Sequence, residues 1–350
     1  MNESFAAIPL QWVGPIRISG NTVVDEVRVP LATFEAPLWP SIRRGAQISM
    51  MTPEGAVATL IDERMTRSIL LEADDAPVAH ATVRRLQDQF TELQNVVGTS
   101  SRFAKLIDLH HQITGNLLFL RFEFTTGDAA GHNMVTLACD RLTDHILQTI
   151  PGVRYGSISG NYCTDKKASA VNGILGRGKN VITELLIPRQ VVESRLHTTA
   201  AQVATLNVRK NLIGSLVAGG IRSANAHFAN MLLAFYLATG QDAANIVEGS
   251  QGITHAENRD SDLYFSCTLP NLIMGTVGNG KDFEFVNQNL TRLGCREQRN
   301  VGDNARRLAV IAAATVLCGE LSLMAAQTNR GELMRAHTQL ERSIPGNGGR

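Results

Sequence analysis

Residues 308–318 run for eleven positions without a charged side chain and are closed by Gly319 and Glu320. They lie inside a longer stretch of helical pattern, 304–326. A helix that crosses a bilayer needs about 20 apolar residues, so this run is too short to do so. An apolar helix outside a membrane must be wrapped by other parts of its chain. The strongest constraint on the fold is therefore a buried helix near the C-terminus. A second stretch, 223–241, contains no Asp, Glu, Lys or Arg, yet carries Asn225, His227 and Asn230. Buried Asn and His need hydrogen-bond partners, so this helix brings a polar network with it. A structural network is the plainer reading of those three residues.

The chain has 350 residues, which at about 100–200 per domain points to two domains. Hydrophobic residues make up 44% and charged residues 19%, enough for a sizeable core. Lysine and arginine number 33 against 32 acids, a net charge of +1, so the excess cation that drives binding to nucleic acid or a membrane surface is missing. Five widely spaced cysteines without a CxxC argue against a disulfide scaffold or a zinc knuckle and fit a reducing cytosol. The start, MNESFAAIPLQW, lacks the basic and apolar regions of a signal peptide. The expectation is a cytoplasmic protein with no membrane segment and no metal site.

Along the chain, residues 1–67 mix short β-like runs, such as 23–29, with proline turns. Residues 74–97 are charged and helical in spacing. A strand is expected at 100–113 and another at 117–124, where LLFLRFEF alternates. The spacing of Met134, Leu137, Ala138, Leu142, Ile146 and Ile150 marks a further helix. Residues 70–155 thus read as an α+β unit of split βαβ character. Helices dominate beyond residue 200, at 201–217, 225–239 and 304–326.

Several motifs carry chemistry. Gly127-Asp128-Ala129-Ala130-Gly131-His132-Asn133-Met134 lies between a strand and a helix. Small residues let a phosphate approach the backbone, and the helix start offers free N–H groups. A tight turn with an N-cap explains it as well. In Ser159-Gly160-Asn161-Tyr162-Cys163-Thr164-Asp165-Lys166-Lys167, two lysines adjoin an aspartate. Such an ammonium can hold an anion or stabilise a developing oxyanion, though a solvated loop would look the same. Asp242 follows the apolar helix in Gly240-Gln241-Asp242. Gly275-Thr276-Val277-Gly278-Asn279-Gly280 is a weak signal alone. Glu35 sits in the apolar run LATFEAPLW, where a carboxyl tends to keep its proton and can donate it. His337 stands in a polar tail.

Taken in order, SGNYCTDKK, NLIGSLVAGG with NAHFAN, GQD, SDLYFSCTLP, GTVGNG, NARRLA with GELSLMAA, and HTQLERS resemble the hydroxymethylglutaryl-CoA (HMG-CoA) reductase family, from about residue 5 to 343. DKK and SRFAKL are closer to its class I branch. The resemblance implies an α+β fold: a large helix-rich domain around a long central helix, residues 1–67 and 158–350, with an inserted ferredoxin-like NADP(H)-binding domain, 68–157. It implies a homodimer or homotetramer whose active site lies at the dimer interface. The reaction it implies is reduction of HMG-CoA to mevalonate and CoA by two hydrides from NADPH, with NADH as the alternative nucleotide.

Residue by residue, the resemblance makes Lys166 the stabiliser of the carbonyl oxygen, Glu35 the proton donor, Asp242 the group that tunes both, and His337 the acid that protonates the CoA thiolate. Arg67, Ser159 and Lys167 match the carboxylate grip, and Asn230 an asparagine that positions the lysine. Asp128, Gly131 and Asn133 match the nucleotide turn, Val277 and Gly278 the second glycine loop, and Ser101 and Arg102 the pair near the ribose 2′-phosphate. Ser343 matches a serine phosphorylated in animal members. The chain departs from the family pattern in three places. DAAGHNM replaces DAMGMNM, so Ala130 and His132 stand where methionines are usual. Asn279 and Lys281 enter the glycine loop, and the N-terminal Glu-Asn signature is missing. Two other readings keep the motifs: a paralogue acting on a different acyl-CoA, and a non-catalytic module that binds acyl-CoA or a statin.

Overall fold

A computed structural model describes residues 6–335 and 338, so His337 and Ser343 lie outside the described residues. The strands are β1 (Leu10–Gly20), β2 (Asp25–Ala32), β3 (Ala56–Ala73), β4 (Lys105–Thr114), β5 (Leu117–Thr125), β6 (Val153–Ser157), β7 (Gly178–Ile187), β8 (Ile253–Arg259) and β9 (Asp262–Leu272). They form two sheets that share β3. One has the order β2-β1-β3-β7-β9-β8, the other β6-β3-β5-β4. The first half of β3 pairs with β1 and β7, and from Met65 onward it pairs with β5.

Helix α1 (Leu38–Met51) packs on the first sheet, and α2 (Ala76–Asp88), α3 (Phe90–Ser100) and α4 (His132–Thr149) pack on the second. Two apolar clusters result. The larger gathers residues from Val13 to Ala58 and from Val181 to Ala325; the smaller runs from Met65 to Val153 and adds Ile273. A boundary between residues 67 and 68 falls inside the continuous strand β3.

The apolar run is the axis of the larger cluster. The helix Asp303–Gln327 buries every residue from Leu308 to Ser322. By length and composition it could cross a membrane, but 94% of its apolar window is buried inside the protein. Its one carboxylate in that stretch, Glu320, accepts from the Ala226 and His227 backbone N–H groups and from Thr254 Oγ1. Each fully buried leucine, isoleucine or valine contributes about 1.5–3 kcal/mol.

Close approach of α1 to this helix depends on Gly45. A Cβ there would lie 2.0 Å from the Cys318 carbonyl oxygen and 2.5 Å from its Cα, both backbone atoms that cannot turn aside. Gly45→Ala is expected to destabilise the fold by about 3 kcal/mol, read as a lower urea midpoint at unchanged slope. A midpoint equal to wild type would contradict this packing.

The structure corrects several element boundaries. The 74–97 segment breaks at Gln89 into α2 and α3. The strand expected at 100–113 starts only at Lys105. Only Phe228–Ala238 of the 225–239 segment is helical, because Asn225 stands before it as a bridge: its Oδ1 accepts from Phe228 N, and its Nδ2 donates to the Ser250 and Gly252 carbonyls. In the 201–217 segment, residues Asn207–Gly214 widen to π-helical turns. There Asn207 Nδ2 donates to the Thr254 carbonyl of β8, and Asn211 Nδ2 donates to Asn207 Oδ1.

Candidate active site

The segment between β6 and α5 (Ala170–Leu175) carries SGNYCTDKK, and its backbone is strained. Asn161, Thr164 and Lys166 all have positive φ, at 59°, 50° and 56°. Such conformations cost about 1–3 kcal/mol each and persist only where surroundings over-determine them. Two buried arginines do so. Arg121 donates to the Tyr162 and Gly176 carbonyls and to Asn172 Oδ1, and it is paired with Glu123 at 3.1 Å. Arg177, 1% exposed, pairs with Glu248 at 2.7 Å and with Asp165 at 2.9 Å. Glu248 in turn accepts from the Lys166 backbone N–H and from Asn245 Nδ2.

This frame presents Lys166 to Asp242, Nζ to Oδ2 at 2.8 Å. The hydrogen bond from Lys166 to Asp242 is the main cause that raises the lysine pKa, against a smaller opposing effect of burial. For Asp242 burial acts upward, but hydrogen bonds from Lys166 and Ala244 N outweigh it and hold the carboxyl below its ordinary value. The pair is therefore an ammonium and a carboxylate. Asp242 is fixed from behind as well. Lys281 Nζ donates to the Gly240 carbonyl, and Gln241 makes two bonds of 3.0 Å with the backbone of Gly275. At Gly240, φ is 63° and an added Cβ would fall 2.3 Å from the Gly280 carbonyl oxygen, so glycine is required.

The candidate nucleotide residues converge. Lys105 pairs with Thr125, so the strand that follows Ser101 and Arg102 runs beside the one that leads into the turn at Thr126. The Asp128 carbonyl accepts from Thr276 N, and Ala129 bridges Val277, so the second glycine loop lies against the first. Asn133, Val277 and Gly278 face outward. Gly131, at φ 95°, starts α4 and has Thr126 packed against it. Asp128 departs from expectation. Its carboxylate is committed to Gly302 N and Ala305 N, where it caps the helix Asp303–Gln327.

Of the grip residues, Ser159 and Lys167 share one segment with Lys166, and Gly160 N donates to the Ser68 carbonyl next to Arg67. The buried Arg67 Nε has no hydrogen-bond partner among the described residues. Glu35 differs from the sequence expectation. Its apolar neighbours predicted burial, yet it is exposed, because the chain turns at Pro37 into α1 and Leu38 carries the burial instead. Asn230 donates to Glu35 at 2.9 Å rather than to the lysine. Asn230 is in the first turn of Phe228–Ala238 and Asp242 lies beyond its last turn, so the two pairs stand at opposite ends of that helix, about 12 Å apart along its axis, within one chain.

Sequence reasoning missed Arg121, Arg177, Glu123 and Glu248, the buried charges that hold the lysine loop. The alternation in β5 carried a partial signal, since Arg121 and Glu123 form the second face of LLFLRFEF. Asp108, His110 and Glu123 come close enough to share a cation, but Glu123 already serves Arg64 and Arg121.

An ammonium paired with a carboxylate, beside a helix start bounded by two glycine loops, suits an enzyme that builds negative charge on oxygen next to a phosphate-bearing cofactor. The family model for hydroxymethylglutaryl-coenzyme A reductase matches residues 4–342, and the chain belongs to that family. It is 45% identical over 338 residues to 3-hydroxy-3-methylglutaryl-coenzyme A reductase of Pyrococcus horikoshii, covering 96% of this chain and 81% of that protein. It is 42% identical to the reductase of Phycomyces blakesleeanus, covering 95% of this chain and 28% of that longer protein. Its fold is similar to the class II reductase of Streptococcus pneumoniae, solved bound to NADPH in open conformations, with a TM-score of 0.73, 19% identity, and coverage of 93% and 86%.

Proposed function

We propose that the chain reduces HMG-CoA to mevalonate and free CoA, using NADPH. The observation that carries this reading is the Lys166–Asp242 pair, 2.8 Å apart and beside the nucleotide turn. NADPH supplies the two hydrides the reaction needs. The turn suits it: the α4 N-terminus offers free N–H groups, and the space beside Gly278 is open, with nothing within 4 Å of an added Cβ. Gly131, Asn133, Val277 and Gly278 would hold the nucleotide. The exposed Arg102 guanidinium, with Ser101, would favour the extra phosphate of NADPH over NADH.

Lys166 stabilises the thioester oxygen as it gains negative charge. Glu35 donates the proton that oxygen finally takes. Collapse of the hemithioacetal breaks the C–S bond, and His337 protonates the departing thiolate. Lys166 serves again as the aldehyde oxygen is reduced. Arg67, Ser159 and Lys167 grip the free carboxylate, with the unpartnered Arg67 Nε available for it.

We take Glu35 to reach Lys166 from a second copy, which makes the active unit at least a homodimer, whose class I-like large domain surrounds the buried helix. The exposed apolar side chains Val208, Leu212, Ile213, Leu216 and Val217 support a covered face in the assembly. The order β6-β3-β5-β4 supports a ferredoxin-like nucleotide domain over 68–157. Five unpaired, buried cysteines fit a reducing, cytoplasmic setting. The test is nicotinamide absorbance with HMG-CoA: two NADPH consumed per CoA released supports the reading. No turnover with either nucleotide, in folded protein, rejects it.

A further inference from the structure

His132 stands where the 127–134 turn meets the Lys166–Asp242 pair. It is the first residue of α4, and its Nε2 is buried with no hydrogen-bond partner among the described residues. That nitrogen lies 3.9 Å from Asp165 Oδ1, too far for a bond and close enough for one to form after a small shift. Asp165 is held instead by Arg177 at 2.9 Å, and it directly precedes Lys166.

We propose that His132 is a positioning residue for the reductase reaction: on taking a proton it draws Asp165 toward itself, loosens Lys166 from Asp242 and slows turnover. The proposal rests on the reductase reading and extends it to acid sensitivity.

The surroundings decide which form prevails. The charged groups facing His132 are Asp165 and Lys166 from the lysine loop, Arg177 from the start of β7, and Asp242 beyond the apolar helix. Burial opposes the imidazolium most, Arg177 and Lys166 oppose it further, and Asp165 and Asp242 favour it less than these oppose. The positive end of α4 acts in the same direction as the two cations. The result is a pKa below the ordinary 6.5, so the ring is neutral at neutral pH and Arg177 keeps Asp165. Below that value the imidazolium offers Asp165 a charge-assisted bond in competition with Arg177. Asp165 and Lys166 share a peptide bond, and Lys166 sits at a strained positive φ, so a displacement of one residue is passed to the next. A methionine, the residue usual in the family at this place, cannot take the proton.

The experiment compares kcat between pH 5 and 8 for wild type, His132→Gln and His132→Met, with the His132 ring signal followed by NMR in wild type and Lys166→Ala. Relative to both variants, wild-type kcat is expected to fall on the acid side, by up to about tenfold per pH unit below the His132 midpoint. The midpoint is expected below 6.5 and should rise in Lys166→Ala, where one opposing cation is gone. Superimposable pH profiles in three active enzymes overturn the proposal alone, as does a His132 midpoint that ignores Lys166→Ala. No turnover by folded wild type at any pH overturns the reductase reading and the proposal with it.

Discussion

Lys166→Ala is expected to lower kcat by about 10²–10³-fold while the protein stays folded. On the proposed role the variant loses the ammonium that meets the developing oxyanion, a contribution of about 3–4 kcal/mol where one such donor has been deleted. It appears in kcat more than in KM, since the interaction strengthens only as charge builds on the oxygen. The fold tolerates the change because the pair is substantially open to solvent, with 40% of the lysine and 45% of the Asp242 side chain exposed. Exposed pairs contribute little to stability. The Lys166 backbone is held independently, by Glu248, so the loop keeps its shape. Steady-state kinetics beside a thermal melt checks both halves. Turnover within a few-fold of wild type would remove Lys166 from the chemistry.

Arg177→Met is expected to do the opposite, unfolding the protein rather than only silencing it. The guanidinium lies between two carboxylates, one of them on the fully buried Glu248. Burial already raises the Glu248 pKa, and Arg177 is the largest influence holding it down. Without that partner a buried anion stands uncompensated, a loss of about 3–5 kcal/mol. The pH dependence has a definite sign. A carboxyl whose pKa is raised in the folded state loses stability as pH rises through that range, so the deficit of Arg177→Met should be larger at pH 8 than at pH 5. Adding Glu248→Gln, which removes the buried charge, should restore part of it. Urea denaturation of the single and double variants measures this. Equal losses at both pH values, with no rescue, would show that the arginine contributes packing alone.

Much of this architecture is legible in the sequence, and the reasons for the rest are physical. The buried helix follows from an eleven-residue uncharged run, because such a face has few places to go. The alternation in β5 fixes which residues face the smaller cluster, but not that Arg121 and Glu123 on its other face are buried too. A strand pattern carries one bit per residue, and a second layer over its polar face comes from distant segments. The motifs bring Lys166 and Asp242 together because glycine-bounded turns of fixed chemistry surround each. Glu35 is different. Its apolar neighbours argue for burial, whereas the turn into α1 directs that burial to Leu38 and Trp39 and leaves the carboxylate with Asn230 at the surface. No local pattern encodes contacts that a second copy supplies, which is where we place the catalytic partner of Glu35.

On the proposed reading the active site joins Glu35 of one copy to Lys166 and Asp242 of another. This pairing is tested most directly by mixing two inactive variants, Glu35→Gln and Lys166→Ala, through co-expression or dissociation and reassembly. If the site spans two copies, random pairing makes half the dimers hybrid. Each hybrid has one site with both defects and one with neither, so the mixture recovers about a quarter of wild-type turnover. A mixture no more active than its two parents would contradict the account.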